Sequence, residues 1–262
     1  MKLLEKILSK RNISTALFEE AYNKAIKLYN IKNIDIEQSE RIKIAAAISY
    51  RKNDSLCDLG SYINLYPVVL ALLGMKVTTV DYYPQALPNS PHYNSNIQKA
   101  LDIYRSVGIC VIESDLYEVT FSKESFDIIT SFETFEHFWH SPKPIVEKVY
   151  MSMRKGGEFI LSVPNIVALD KRVKSVLGRA PFSFSSFQHY YEHGNPFTGH
   201  RREMTMQEVD WMMKNAGFSK LDLFTSNHQP PIGENARKLG KLYRFFMDKF
   251  PLSASLRVTS GS

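Results

Sequence analysis

Short apolar runs and longer helix-like stretches alternate along residues 53–165 of the chain. The apolar runs have the length and composition of buried strands: SLCDLG (55–60), KVTTVD (76–81), GICVIESD (108–115), SFDIITSF (125–132) and GEFILSVPN (157–165). Helix-like segments lie between them at 67–73, 95–106 and 144–153. This alternation predicts βαβ units, and therefore a mostly parallel sheet with helices on both faces.

The flanking segments complete a single α/β domain over residues 1–262. Residues 1–48 predict a helical N-terminal cap, 53–165 the core, and 166–203 an irregular, aromatic-rich lid insertion. Residues 204–262 predict a helix at 204–218, with Thr205 as N-cap and Glu208 three residues later, then a sixth strand at 221–226. Only 255–259 remain for a seventh strand, so we expect a Rossmann-like seven-stranded sheet in which either the last strand is incomplete or the given chain is truncated before it ends.

Length, cysteine content and charge indicate the size of the domain and the compartment in which it works. The chain has 262 residues, enough for one sizeable core, and its two cysteines indicate a reducing compartment rather than a disulfide scaffold. The N-terminal apolar spacing is that of a helix, and no apolar run is long enough to span a bilayer. We therefore expect a cytoplasmic protein. The net charge of +6 favours an anionic partner or simply keeps the surface soluble.

Acidic residues end three neighbouring strands of the predicted sheet. Asp58 and Gly60 follow the first run, Asp81 ends the second and Asp115 the third. Ligands of open parallel sheets bind beyond the carboxyl ends of the strands, so these carboxylates favour a cofactor that is rich in donors and positively charged. The G-x-G-x-x-G pattern of dinucleotide sites is missing, which disfavours NAD. A second interpretation is that Asp58 and Gly60 only form a turn.

The order of these segments resembles the class I S-adenosylmethionine-dependent methyltransferases over nearly the whole chain. The matching segments are DLGSYIN, VTTVD, ESDLYE, FDIITSFETFEHF, RKGGEFILSVPN, GHRREMTMQEV and AGF. The resemblance implies that Asp81 binds the ribose hydroxyls of the cofactor and that Tyr82 lies beside the adenine. It also implies that the other cofactor-binding residues are Asp58, Gly60, Ser61, Asn64, Asp115, Leu116 and Ser131. The chain departs from the family in its first loop, where Tyr62 and Asn64 replace further glycines.

The segment SFETFEHFWH (131–140) carries the second candidate site. On a helical turn, Glu133, Glu136 and His137 would share one face at the carboxyl end of the fourth strand. With His200 as a fourth ligand, they predict a site for Mg²⁺ or Mn²⁺. The E-x-x-E-H pattern resembles that of ubiquinone-biosynthesis O-methyltransferases, and the full set with His200 resembles the 2′-O-methyltransferases of small-RNA 3′ ends.

Alternatives remain open for this segment. Without a metal, His137 or His200 would serve as general base, and Glu133 would act beside them. The E-x-x-E-H pattern would also arise if these residues only shaped a pocket and capped a helix.

Aromatic and basic residues indicate where an acceptor would bind. The aromatic stretch at 182–197 is interpreted as a lid or as a strip packed on the sheet, and Arg201 and Arg202 as ligands for a phosphate or carboxylate. Residues 236–250 predict a basic amphipathic helix that lies on an anionic membrane or packs on its own domain.

These features together predict an enzyme of O-methylation that uses S-adenosyl-L-methionine. The preferred acceptor is a sugar hydroxyl of a glycan or a small molecule, which places the protein in glycan biosynthesis. The 3′-terminal ribose of RNA is the second candidate acceptor, although the chain has no dense basic stripe. A non-catalytic binding protein with a degenerate cofactor loop is a further alternative.

Overall fold

The alternation seen in the sequence is present in the fold. The structure of the protein, a computed structural model, describes residues 3–83, 91–182, 184–192, 199–226 and 253–259. These residues fall into two compact units, one within Met1–Ser131 and Lys148–Phe159 and the other within Phe132–Glu147 and Ile160–Gly261. Within the described ranges, no helix has both the length and the apolar character needed to cross a bilayer.

The helices and strands of the described residues have the following bounds. The helices are α1 (Leu3–Lys10), α2 (Thr15–Ile31), α3 (Glu40–Ser49), α4 (Tyr66–Leu72), α5 (Pro91–Ser106), α6 (Lys143–Ser152), α7 (Leu169–Val176), α8 (Phe184–Glu192) and α9 (Met206–Asn215). The strands are β1 (Ser55–Leu59), β2 (Lys76–Asp81), β3 (Cys110–Glu113), β4 (Phe126–Phe132), β5 (Met153–Pro164), β6 (Lys220–Ser226) and β7 (Ser253–Thr259). One 3₁₀ turn, Phe135–His137, follows β4.

The first unit contains the strand order β3-β2-β1-β4-β5, to which β5 contributes its first half. Strand β1 pairs in parallel with both β2 and β4, and β2 pairs in parallel with β3. Four of the five residues of β1 are buried, as expected for a strand with neighbours on both sides and helices on both faces. The predicted α/β class with a mainly parallel, Rossmann-like sheet is thereby confirmed.

A network of hydrogen bonds around Asp127 connects the amino-terminal ends of β1, β4 and β5. The Asp127 carboxylate accepts hydrogen bonds from the backbone N–H and hydroxyl of Ser55, at 2.8 and 2.7 Å, and from Arg154 at 2.6 Å. Gly157 lies so close that an added Cβ would stand 2.9 Å from the carbonyl oxygens of Arg154 and Asp127. The second glycine of the KGG segment is therefore required by sterics.

Helices α1, α2 and α3 form the predicted N-terminal cap. Ser14 is the N-cap of helix α2, since its hydroxyl accepts from the N–H of Leu17. The helix buries one stripe that includes Phe18, Ala25 and Tyr29. At the end of this stripe the Tyr29 hydroxyl donates to the carbonyl of Asn64, 2.8 Å away. The cap thereby reaches the loop that follows β1.

The second unit contains the strand order β5-β7-β6, to which β5 contributes its second half. Strands β6 and β7 pair antiparallel over seven residues each, so the last strand is longer than the 255–259 predicted for it. Residues 166–203, predicted to be irregular, include α7 and α8. The prediction of an irregular segment was therefore wrong for these two helices. The basic helix predicted at 236–250 lies outside the described residues.

Helix α9 starts with the capping box that the sequence predicted. The Thr205 hydroxyl accepts from the N–H of Glu208 at 3.1 Å, and the Glu208 carboxylate accepts from the N–H of Thr205 at 2.7 Å. Directly before this cap, Met204 pairs with the chain at Pro164 and Ile166. The cap therefore fixes the helix start beside the segment that carries His200.

Replacing Thr205 with Ala should lower the free energy of unfolding by about 1 kcal/mol, because the N–H of Glu208 loses the hydroxyl that accepts its hydrogen bond. Urea unfolding followed by circular dichroism measures this loss. Ser175→Ala is the control, since the Ser175 hydroxyl only donates to the carbonyl of Lys171 within α7. An equal decrease in the free energy of unfolding of both variants would show that the capping box does not stabilise the protein more than an ordinary hydrogen bond on the surface of a helix.

Candidate active site

Asp58 is a buried carboxylate near the carboxyl end of β1. Its register partners are Thr79 on β2 and Thr130 on β4, and only 2% of its surface is exposed. Oδ1 accepts from the Thr130 hydroxyl at 2.8 Å, and the Tyr66 hydroxyl lies 3.0 Å from that same hydroxyl. Burial raises the pKa of Asp58 to about 6, and the hydroxyls of Tyr66 and Thr130 offset only part of this rise.

Two polar atoms at this strand end are buried without a complete hydrogen bond. By distance and angle, neither Oδ2 of Asp58 nor the hydroxyl oxygen of Ser61 completes a hydrogen bond among the described residues, although the Ser61 hydroxyl lies near enough to Asp58 to lower its pKa. Buried polar atoms are otherwise nearly always paired, so an orphaned pair marks a place where a bound group completes the bonding. A cationic, donor-rich group such as an amino acid moiety fits these atoms.

The loop after β1 turns on two left-handed residues, Gly60 with φ +72° and Tyr62 with φ +42°. Of the two residues that replace further glycines of the family, Tyr62 takes this conformation and Asn64 does not. The reason is the Asp81 carboxylate, which accepts from the N–H of Tyr62 at 2.7 Å and from the N–H of Tyr82 at 2.6 Å. Burial raises the pKa of Asp81, and these two N–H groups oppose the rise.

Two tyrosines that the sequence analysis missed hold this loop from the protein interior. The Tyr104 hydroxyl on α5 accepts from the N–H of Asn64 at 2.9 Å and lies 3.1 Å from the carbonyls of Tyr62 and Asn64. Tyr29 donates to the Asn64 carbonyl as well. Asn64 is thus held through its backbone, and its side chain accepts from the N–H of Tyr66 at the start of α4.

The remaining predicted cofactor residues of the first unit are placed differently from one another. Asp115 follows β3, and its carboxylate accepts from the N–H of Tyr117 at 2.7 Å. Lys148 binds the carbonyl of Leu116 at 2.9 Å and so orders this turn. Ser131 is fully buried and its hydroxyl donates to the carbonyl of Leu59 at 3.0 Å. This hydroxyl therefore connects β4 to β1 and is not exposed to a ligand.

Glu133 does not share a face with Glu136 and His137. It directly follows β4 with φ +52°, outside the 3₁₀ turn, so the expected i, i+3, i+4 arrangement on a helical turn was wrong. Its N–H donates to the carbonyl of Ser162 at 2.9 Å, and its carboxylate accepts from the Ser162 hydroxyl. These two bonds to β5 direct the side chain of Glu133 away from a common ligand set.

Glu136, His137 and His200 come together in the second unit. Oε1 of the fully buried Glu136 lies 3.8 Å from Nε2 of His137 and 3.8 Å from Nε2 of His200. The two imidazole rings meet edge to face, with centroids 5.0 Å apart. One ligand atom from each residue lies within 4.8 Å of the others, which is a spacing suited to one metal ion.

The donor set of this cluster favours a different ion from the one that the sequence suggested. Two imidazole nitrogens and one carboxylate suit transition metals such as Zn²⁺ or Fe²⁺, whereas Mg²⁺ prefers oxygen ligands. The change follows from the loss of Glu133 from the set. Without a metal, the same pair of imidazoles can accept a proton from a bound hydroxyl.

Glu203 and Lys171 lie behind His200, and the sequence analysis missed both. The Glu203 carboxylate is buried, forms an ion pair with Lys171, and lies 3.0 Å from Nδ1 of His200. Burial alone would raise the pKa of Glu203, but hydrogen bonds from His200 and Lys171 and their charges hold it below its usual value.

The raised pKa of Asp58 predicts how stability changes with pH. A carboxyl whose pKa is higher in the folded state stabilises the fold below the unfolded value of about 4, and this contribution is lost as pH rises through about 6. Asp58→Asn should therefore match the wild type near pH 4 and exceed it by up to about 3 kcal/mol at pH 7. Urea unfolding across this range measures the difference.

Asp127→Asn supplies the matched control of opposite sign. Burial would raise the pKa of Asp127, but Ser55 and Arg154 outweigh it and lower the pKa. This variant should be less stable than the wild type at pH 7, and the deficit should shrink as pH falls through the lowered pKa. Parallel pH profiles of the two variants would contradict the account.

Comparison with known proteins places the chain in a family. A family model described as "Methyltransferase domain" matches residues 34–223. No curated protein matches the chain in sequence.

Many solved structures share the fold. An S-adenosylmethionine-dependent methyltransferase from Mesorhizobium loti has a TM-score of 0.55 at 15% identity, over 83% of this chain and 96% of that one. One from Archaeoglobus fulgidus has 0.54 at 10% identity, over 98% and 100%. Phosphoethanolamine N-methyltransferase 2 of Haemonchus contortus has 0.56 at 12%, over 100% and 61%. The chain belongs to the methyltransferase family, and its fold is that of the class I S-adenosylmethionine-dependent enzymes.

Proposed function

We propose that the protein transfers the methyl group of S-adenosylmethionine to a hydroxyl oxygen. The family supports methyl transfer, and the cluster of Glu136, His137 and His200 supports oxygen as the acceptor atom. A neutral amine is already a nucleophile, whereas an alcohol must lose its proton as it attacks. Two imidazoles beside a buried carboxylate supply what an alcohol acceptor needs.

The cofactor would bind at the carboxyl ends of β1, β2 and β3. Oδ2 of Asp58 and the hydroxyl of Ser61 are placed to bind the methionine moiety, since both are buried and complete no hydrogen bond among the described residues. Asp81 would accept from the ribose hydroxyls, and the partly exposed Tyr82 and the turn at Asp115 would border the adenine.

The proposed reaction is a direct displacement. The acceptor oxygen attacks the methyl carbon, the C–O bond forms as the C–S bond breaks, and S-adenosylhomocysteine leaves. The hydroxyl proton passes to His137 or His200. Alignment of the two reactants supplies most of the rate. A divalent ion, if held by Glu136, His137 and His200, would lower the pKa of a hydroxyl bound to it.

A sugar hydroxyl of a glycan or small molecule is the proposed acceptor. Trp139 is 48% exposed, and the guanidinium of Arg201 lies over its ring at 2.9 Å from the centroid. The N–H of Arg201 also donates to the carbonyl of Glu136 at 2.7 Å, which places this aromatic surface next to the cluster. An exposed indole beside a cation suits a ring that carries hydroxyl or acidic groups.

Two alternatives are kept because they predict different results. The 3′-terminal ribose of RNA has the same hydroxyl chemistry, and binding that weakens steeply with salt would favour it. The second alternative is a non-catalytic protein, which is kept because Tyr62 stands in the first loop where the family has glycine. Such a protein would fail to bind the cofactor. The Haemonchus contortus enzyme is named for transfer to nitrogen, so amines belong among the acceptors tested.

Calorimetric titration with S-adenosylhomocysteine tests the cofactor site. We expect micromolar binding to the wild type and binding about 10–100-fold weaker in Asp81→Asn, because a charged acceptor of two hydroxyls is lost. Asp102→Asn, at an exposed acidic residue of α5, should bind like the wild type. Absence of binding to the wild type would favour the non-catalytic alternative, and binding of NAD in its place would refute the proposal.

Methyl transfer to a panel of acceptors tests the oxygen site. His137→Ala should reduce transfer to hydroxyl acceptors by about 100-fold or more, since a general base is lost, while cofactor affinity stays unchanged. His140→Ala is the matched control, because His140 lies three residues further along outside the cluster. If activity is retained in EDTA, a metal ion is not needed for transfer, and a histidine acting as general base remains the explanation. Transfer only to amines would overturn the choice of oxygen.

A further inference from the structure

We propose that Glu203 is a positioning residue that fixes His200 in the tautomer with its proton on Nδ1. The proposal extends the proposed function, because it explains how Nε2 of His200 is kept ready for an acceptor proton or an ion. It concerns a carboxylate that neither the family match nor the sequence motif assigns.

The burial of Glu203 requires partners for both of its oxygens. Its side chain is 4% exposed, and a carboxylate in such a place is costly unless it is paired and hydrogen-bonded. Oε2 contacts the ammonium of Lys171, and Oε1 lies 3.0 Å from Nδ1 of His200. Each oxygen thus has its own partner.

The chemistry of the pair determines the tautomer. A carboxylate that forms an ion pair with an ammonium group only accepts hydrogen bonds, so the hydrogen between Glu203 and His200 belongs to Nδ1. In the neutral imidazole Nε2 then carries the lone pair. Nε2 is the atom that lies 3.8 Å from Oε1 of Glu136. The lone pair therefore belongs to the nitrogen on the cluster side of the ring.

Backbone pairing holds Glu203 in place. Its neighbour Met204 donates from N–H to the carbonyl of Pro164 at 3.2 Å and accepts from the N–H of Ile166 at 3.2 Å. These bonds attach the carboxylate to the end of β5. Residues that orient a histidine through its second nitrogen change metal affinity or activity by about 10–100-fold when mutated, which is the effect expected here.

The variant Glu203→Gln gives a sharp prediction. Lys171 has only donors, so the glutamine oxygen should face it and the glutamine NH₂ should face Nδ1 of His200. The proton of His200 should then move to Nε2. In the double variant with Lys171→Met, the amide is free to turn its oxygen toward Nδ1, and the original tautomer should return.

Long-range ¹H–¹⁵N NMR of protein labelled with ¹⁵N-histidine reads the tautomer directly. The His200 signals are assigned by their loss in His200→Gln. We expect the Nδ1–H form in the wild type, the Nε2–H form in Glu203→Gln and the Nδ1–H form again in the double variant. Asp210→Asn, which removes the carboxylate of an exposed pair with Lys214, should leave His200 unchanged.

The rate of methyl transfer should depend on which tautomer His200 adopts. We expect the rate constant of methyl transfer to fall about 10–100-fold in Glu203→Gln and to recover in the double variant. The affinity for S-adenosylhomocysteine should be the same in the wild type, Glu203→Gln, the double variant and Asp210→Asn. An Nε2–H form in the wild type, or a switch of tautomer that leaves transfer unchanged, would overturn the proposal. Failure of the wild type to bind S-adenosylhomocysteine would refute the proposed function, while the NMR result would still decide the role of Glu203.

Discussion

The first unit keeps one carboxylate, that of Asp58, buried near the end of its central strand. A buried charge costs several kcal/mol when its partners are incomplete, and here Oδ1 accepts from the Thr130 hydroxyl while Oδ2 completes no hydrogen bond among the described residues. The raised pKa of Asp58 is the sign of this cost. A fold keeps such a cost where function needs it, and the proposed positive cofactor would supply the missing partner.

The loop beside Asp58 must hold its shape without blocking that carboxylate. Tyr29 and Tyr104 achieve this by binding the loop backbone from the interior, so a helix of the N-terminal cap and a helix of the core share the task. Asp81 completes the arrangement by accepting from the N–H of Tyr62. A tyrosine is thereby held in a left-handed conformation that glycine usually occupies, which explains how the loop departs from the family pattern.

The sequence predicted what depends on local periodicity and missed what depends on distant contacts. The buried runs located the strands around Asp58, and the signature at Thr205 located the start of α9. Glu133 was misplaced because its left-handed backbone and its bond to Ser162 depend on β5, which lies about thirty residues away. Glu203 was missed for a similar reason, since its pairing with Lys171 across a helix-containing insertion leaves no pattern in the sequence.

Proton exchange during cofactor binding tests the role of Asp58 most directly. Near pH 6 about half of the molecules carry a proton on this carboxyl, and the ammonium group of bound S-adenosylhomocysteine should expel it when it lies at Oδ2. Calorimetry with S-adenosylhomocysteine, repeated in buffers of different ionisation enthalpy, counts the protons. The account predicts release of about half a proton per bound ligand at pH 6 and none in Asp58→Asn. Tight binding to the wild type with no proton release would contradict it.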